Sequence, residues 1–107
     1  MARTINETKL SPATLKTLRA LWDQPEMKAY YVEFRSLSGV RSKAYYPFVR
    51  RLEQANFVVN DQNYYHLTFG GMQALKGHYA ALYAARPCEA YRLEMEKFSH
   101  FPDRSVA

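Results

Sequence analysis

The chain has 107 residues, of which 48% are apolar and 15% aromatic; this is one folding domain with a modest core, too short for a core plus a separate catalytic domain. Its formal net charge is +5, from 15 Lys and Arg against 10 Asp and Glu, and with nearly half the residues apolar an intrinsically disordered chain is excluded. The lone cysteine, Cys88, has no partner for an intramolecular disulfide, no apolar run approaches the roughly 20 residues of a membrane span, and the first residues lack an export-type apolar stretch, so a cytoplasmic protein is expected.

Met1 to Leu10 is polar and aperiodic and reads as a flexible arm, with Ile5 and Leu10 able to dock; an arm that touches DNA is the alternative. Ser11-Pro12 is an N-cap followed by proline at the first helical position. Leu15, Leu18, Leu21 and Trp22 then form one apolar face, and Pro25 ends this first helix. Glu26 to Leu37 is expected as a second helix with Tyr30, Phe34 and Leu37 on one side and Arg35 facing away. Ser38-Gly39 breaks it, and Gly39-Val40-Arg41 is the turn of a helix-turn-helix, with Val40 as the apolar plug.

Ser42 is the expected N-cap of a third helix, Lys43 to Ala55, which Asn56 stops by adopting the left-handed conformation. Tyr45, Val49 and Leu52 make an apolar stripe with Phe48 beside it, while Lys43, Tyr46, Pro47, Arg50 and Gln54 fall on the opposite side. Pro47 is tolerable within the first turn or so, whereas a deeper position would kink the helix. Phe57-Val58-Val59, a polar four-residue connection Asn60 to Asn63, and Tyr64 to Leu67 predict a β-hairpin.

Thr68 caps a long helix from Gly70 to Ala85, in which Met72, Leu75, Tyr79 and Leu82 form a further apolar stripe. Arg86-Pro87 interrupts the chain, and Glu89 to Phe98 resumes as a helix with Tyr91, Met95 and Phe98 in register. These two stripes exceed what one small core easily buries, so a homodimer through Met72, Leu75, Tyr79, Leu82, Tyr91, Met95 and Phe98 is expected. The residues from 99 to 107 have no periodicity and read as a tail.

Five cations, Arg35, Arg41, Lys43, Arg50 and Arg51, lie between Arg35 and Leu52 with no Asp or Glu among them. A cluster of one sign on a helical pair favours a polyanion, because neutralising phosphates releases counterions; an ordinary solvated face is the bland alternative. Other chemistry is poorly supported. His66, His78, His100 and Cys88 are scattered over different elements, so no metal site is expected, and His66 and His78 read as solvent-facing. Gly70-Gly71 lacks the Lys and further glycines of a phosphate cradle and reads as close packing at a helix start. No nucleophile with a base and an orienting acid assembles, so neither an enzyme nor a cofactor is expected.

Ala44-Tyr45-Tyr46-Pro47-Phe48-Val49-Arg50-Arg51-Leu52-Glu53, followed by Asn56-Phe57-Val58 and Tyr64-Tyr65-His66-Leu67-Thr68-Phe69-Gly70-Gly71, resembles the winged-helix core of PadR-type transcriptional regulators. The resemblance covers roughly Leu15 to Leu82. Two departures stand out: Asn56 occupies the place where such proteins usually carry Gly, and Asn60 to Asn63 contains no Lys or Arg with which a wing would hold phosphate.

The resemblance implies a mainly α fold with a small β-hairpin, a winged helix-turn-helix with C-terminal dimerisation helices, and dimers on pseudo-palindromic operators. The expected organisation is an arm (1–10), a DNA-binding domain (11–69), dimerisation helices (70–98) and a tail (99–107). The expected function is that of a sequence-specific regulator of transcription, a repressor, bound to double-stranded DNA. Lys43, Tyr46 and Arg50 would face base edges or groove walls, with Arg35, Arg41, Ser42 and Arg51 at phosphates. The alternatives are packing of Tyr46 against the neighbouring helix, an ion pair of Arg51 with Glu53 or Asp61, and a protein-binding winged helix that uses Tyr30, Tyr31, Tyr45, Tyr46, Tyr64 and Tyr65.

Overall fold

The structure is a computed structural model that describes residues 9–100; the expected roles of Ile5 and of the tail beyond His100 lie outside the described residues. Helix α1 spans Pro12–Asp23, and its start follows from local chemistry: Pro12 occupies the first turn and Ser11 Oγ accepts from the Thr14 amide at 3.3 Å. Leu18, Leu21 and Trp22 from α1 are buried, and Leu15 packs partly against them.

A 3₁₀ turn, Pro25–Met27, then leads into strand β1, Lys28–Tyr30, and only after it does helix α2 run from Tyr31 to Ser38. The expected helix from Glu26 to Leu37 is therefore corrected: its first part is turn and strand. Glu26 and Met27 take left-handed φ values of 58° and 53°, which turns the chain, and β1 is then captured by pairing Lys28, Ala29 and Tyr30 with His66, Tyr65 and Tyr64. Tyr30, placed by helical spacing on the buried stripe, is instead 39% exposed. Phe34 is fully buried and Leu37 half-buried, as that stripe requires.

Gly39 ends α2 at φ 64°, in the left-handed region where a side chain would be strained. Helix α3 spans Ser42–Gln54 with Arg41 at its N-cap position. Ser42 is thus the first helical residue rather than the cap, because the chain stays extended through Arg41. Tyr45, Phe48, Val49 and Leu52 are buried, as their spacing predicts. Pro47 lies in the second turn, where it has no N–H for the Lys43 carbonyl; Lys43 is on the exposed side, so water can serve that oxygen. Asn56, at φ 66°, takes the left-handed conformation after the helix.

Strands β2 (Val58–Asp61) and β3 (Tyr64–Leu67) pair from Val58↔Leu67 to Asp61↔Tyr64. The connection is therefore two residues, not four: Asn60 and Asp61 belong to the strand, and Gln62 and Asn63 make the turn at φ 52° and 70°, the pair of positive values that suits the twist of a tight hairpin. The sheet is antiparallel with order β1-β3-β2.

Helix α4, Phe69–Ala85, is capped by Thr68, whose Oγ1 accepts from the Gly71 amide at 2.9 Å and donates to the Asn56 carbonyl at 2.5 Å. A Cβ on Gly70 would lie 2.7 Å from the Asn56 oxygen, and one on Gly71 would collide with the Phe57 carbonyl and Leu67. The two glycines serve close packing, as expected. Helix α5, Glu89–Lys97, folds back along α4 after the Arg86-Pro87 break.

This return overturns the reasoning behind the expected dimer surface. Met72, Leu75 and Phe98 are fully buried, Tyr79 is buried, and Leu82, Tyr91 and Met95 pack partly against the same core. Phe98 sits edge-on to Trp22 at 4.9 Å and stacks with Tyr79 at 6.0 Å. Arg19 of α1 fastens the arrangement by donating to the Tyr79 hydroxyl and pairing with Glu94 at 3.2 Å. The stripes are covered within one chain, so they do not call for a second copy.

His78 is also corrected. It is not solvent-facing but buried, and its Nδ1 accepts from the Leu10 amide at 2.9 Å. Among the described residues no helix is long and apolar enough to cross a membrane, and no three His, Cys, Asp or Glu gather into a metal-ligand group. The chain is mainly helical, and its order, α1, α2 and α3 followed by a β2–β3 hairpin that β1 extends into a three-stranded antiparallel sheet, is compatible with a winged helix.

Candidate nucleic-acid interface

The burial pattern of α3 divides the helix cleanly. With Tyr45, Phe48, Val49 and Leu52 turned into the core, the 3.6-residue period leaves Lys43, Tyr46, Pro47, Arg50, Arg51 and Gln54 outside, and all six are exposed. Tyr46, Pro47, Arg50, Arg51 and Gln54 line a shallow open depression of about 360 Å³. Tyr46 is 66% exposed, and its ring lies edge-on to the Tyr45 ring of the same helix, 5.4 Å between centroids. Packing against the neighbouring helix is therefore not what holds it.

Among the described residues, none of Arg35, Arg41, Lys43, Arg50 or Arg51 is within ion-pair distance of a carboxylate. The pairing of Arg51 with Glu53 or Asp61, the bland alternative for that residue, is absent. Three other cations are engaged: Arg19 with Glu94, Lys28 with Glu26 at 3.3 Å, and Arg92 with Glu89. The five cations of the acid-free window thus have no ion-pair partner among the described residues.

Arg35 and Ser42 come together as the sequence did not foresee. The Arg35 Nη2 donates to Ser42 Oγ at 2.9 Å, and its guanidinium lies 5.1 Å above the Tyr45 ring. With the cation itself exposed to solvent, such a contact contributes roughly 0.5–1 kcal/mol. Burial of the Tyr45 phenol, reinforced by Tyr65, pushes its pKa up to about 12, so the ring beneath Arg35 stays neutral through the physiological range. Arg41 stands at the N-cap and Lys43 in the first turn, both exposed and both beside the positive end of the helix dipole.

The hairpin turn also reaches α2. The Tyr31 amide donates to the Asn63 carbonyl at 2.7 Å, and Tyr31 lies one turn before Arg35 on the same helix face. A surface therefore runs from the hairpin turn through Tyr31 and Arg35 to Ser42. Beside it, Tyr30 touches Tyr31 at 4.9 Å and Tyr64 at 5.1 Å, and Lys28 Nζ lies 5.0 Å from the Tyr64 ring. Tyr30 and Tyr64 share the outer side of the sheet because they pair directly. Lys28 is absent from the candidate site residues; only the β1 pairing brings it here.

His66 is half-buried in β3 and Cys88 half-buried before α5, with no shared cluster. No family model, no curated protein and no solved structure matches this chain.

Proposed function

We propose that the chain is a winged helix-turn-helix protein that binds double-stranded DNA and regulates transcription, with α3 lying in the major groove. The observation that carries this reading is the exposed side of α3. It presents Lys43, Tyr46, Arg50 and Arg51 with Arg41 at its start, free of carboxylate partners among the described residues. Arg50 and Lys43 suit guanine O6 and N7, and Tyr46 offers a ring and a hydroxyl to groove walls. Arg41, Arg51 and the hydroxyl of Ser42 suit phosphate oxygens. The element order and the resemblance to PadR-type regulators support the same reading, and repression is the mode it favours.

A pair of copies on two half-sites remains the arrangement by which so small a chain would read a longer operator. Met72, Leu75 and Phe98, all fully buried, are not available as its contact surface.

A second reading, a winged helix that binds another protein, draws on the exposed ring cluster Tyr30, Tyr31 and Tyr64. The two separate in one experiment: selection of bound duplexes from a random pool at fixed salt, followed by titration at several salt concentrations. The DNA reading expects an enriched motif and an affinity that falls steeply with salt. Absence of binding at low salt would leave the protein-binding reading alone.

A further inference from the structure

Arg35 is exposed and positively charged, which on composition alone makes it another phosphate ligand. Its geometry says otherwise. One Nη is committed to Ser42 Oγ at 2.9 Å and the guanidinium carbon lies over the Tyr45 ring, 5.1 Å from its centroid, so the group is held at two points of α3 while its own backbone belongs to α2. Ser42 accepts that hydrogen bond, and a hydroxyl that accepts still has its own proton to donate. Ser42 is exposed at the first position of α3, next to Arg41 and Lys43.

Resting on the DNA reading above, we propose that Arg35 is a positioning residue: it braces the start of α3 against α2 and leaves the Ser42 hydroxyl proton free for a phosphate oxygen, instead of binding phosphate itself. A guanidinium is required because its rigid fork of donors can keep one N–H on Ser42 while the delocalised cation lies over the ring. Lysine keeps the charge and loses the brace.

The full chain is tested as Arg35→Ala, Arg35→Lys and Ser42→Ala, with Arg41→Ala as the phosphate-contact comparison. Without DNA, exchange of the Ala44, Tyr45 and Tyr46 amides is expected to speed several-fold in both Arg35 variants and to stay unchanged in Arg41→Ala. Unchanged exchange in the Arg35 variants overturns the proposal. With a selected duplex, both Arg35 variants are expected to lose roughly tenfold in discrimination against a mismatched site, since a misplaced α3 forfeits base contacts. The slope of log K against log salt should stay as in the wild type, and Ser42→Ala should add little to Arg35→Ala. A slope shallower by about 0.9 in Arg35→Ala, with Arg35→Lys behaving as wild type, makes Arg35 a direct phosphate ligand and overturns the proposal. If no duplex binds at all, the DNA reading falls, and the exchange measurement alone decides whether Arg35 braces α3.

Discussion

The backbone N–H of Leu10 donates to Nδ1 of His78 at 2.9 Å, so the residue just before the N-cap of α1 is held to α4 by an imidazole that can accept only while it is neutral. Burial, together with the nearby Lys9 ammonium, lowers the His78 pKa from its ordinary 6.5. Above pH 6.5 the imidazole is neutral in both folded and unfolded chains, and the contact contributes fully. As pH falls below 6.5 the unfolded chain takes up a proton before the folded one, so stability declines until the folded pKa is passed. Thermal midpoints from pH 7.5 down to 5 should fall for the wild type and fall less for His78→Gln, with Leu10 amide exchange accelerating in parallel. A His78 resonance that titrates above a free histidine would contradict this.

Among the described glycines, Gly71 leaves the least room for a side chain. Its missing Cβ would collide with the Phe57 carbonyl and with Leu67, and the carbonyl cannot swing away because it accepts from the Thr68 amide at 3.1 Å. Gly71→Ala should cost about 1–3 kcal/mol, the usual range for forcing atoms into a packed core, and the loss is measurable by urea unfolding. A variant as stable as the wild type would mean that α4 starts further from the Asn56–Phe57 turn.

Leu75 separates a core helix from a dimerisation helix. It is 0% exposed within one chain, so Leu75→Glu should abolish the cooperative thermal transition, because an unpaired charge would be buried. Ultracentrifugation and circular dichroism on wild type and variant read the outcome. A folded monomeric variant of a dimeric wild type would place Leu75 between chains and revive the C-terminal dimer surface.

Much of the fold was legible where local chemistry fixes an element. Ser11-Pro12, Thr68 with Gly71, Gly39 and Asn56 each mark a boundary that the structure uses, since caps and left-handed residues act over a few atoms. Strand β1 was not legible, because Lys28, Ala29 and Tyr30 become a strand only by pairing with Tyr64, Tyr65 and His66, far along the chain. The turn before it relies on left-handed Glu26 and Met27, which carry no glycine signal. Periodicity showed that Met72, Leu75 and Phe98 face something apolar but could not say that α5 and α1 supply it. For the candidate site, the period of α3 named the outward residues. The tie of Arg35 to Ser42 needed the angle between two helices, which sequence spacing does not contain.

The hairpin turn supplies the last prediction. Gln62 and Asn63 are exposed and bring no cation, yet the Asn63 carbonyl holds the Tyr31 amide, and Tyr31 precedes Arg35 by one turn on the same side of α2. The turn therefore sits at the end of the surface that runs to Ser42, and if α3 binds DNA as proposed, a long side chain on this turn is expected to reach a flanking phosphate. Gln62→Lys keeps the left-handed strain at φ 52° much as it is, because neither residue is glycine or asparagine, so stability should change by less than about 0.5 kcal/mol. Affinity for the selected duplex should rise at low salt, and the slope of log K against log salt should steepen by about 0.9, one added phosphate contact. Lys76, half-buried on α4, supplies a comparison: Lys76→Gln should leave the slope unchanged. A Gln62→Lys slope equal to that of the wild type would place the hairpin turn off the DNA.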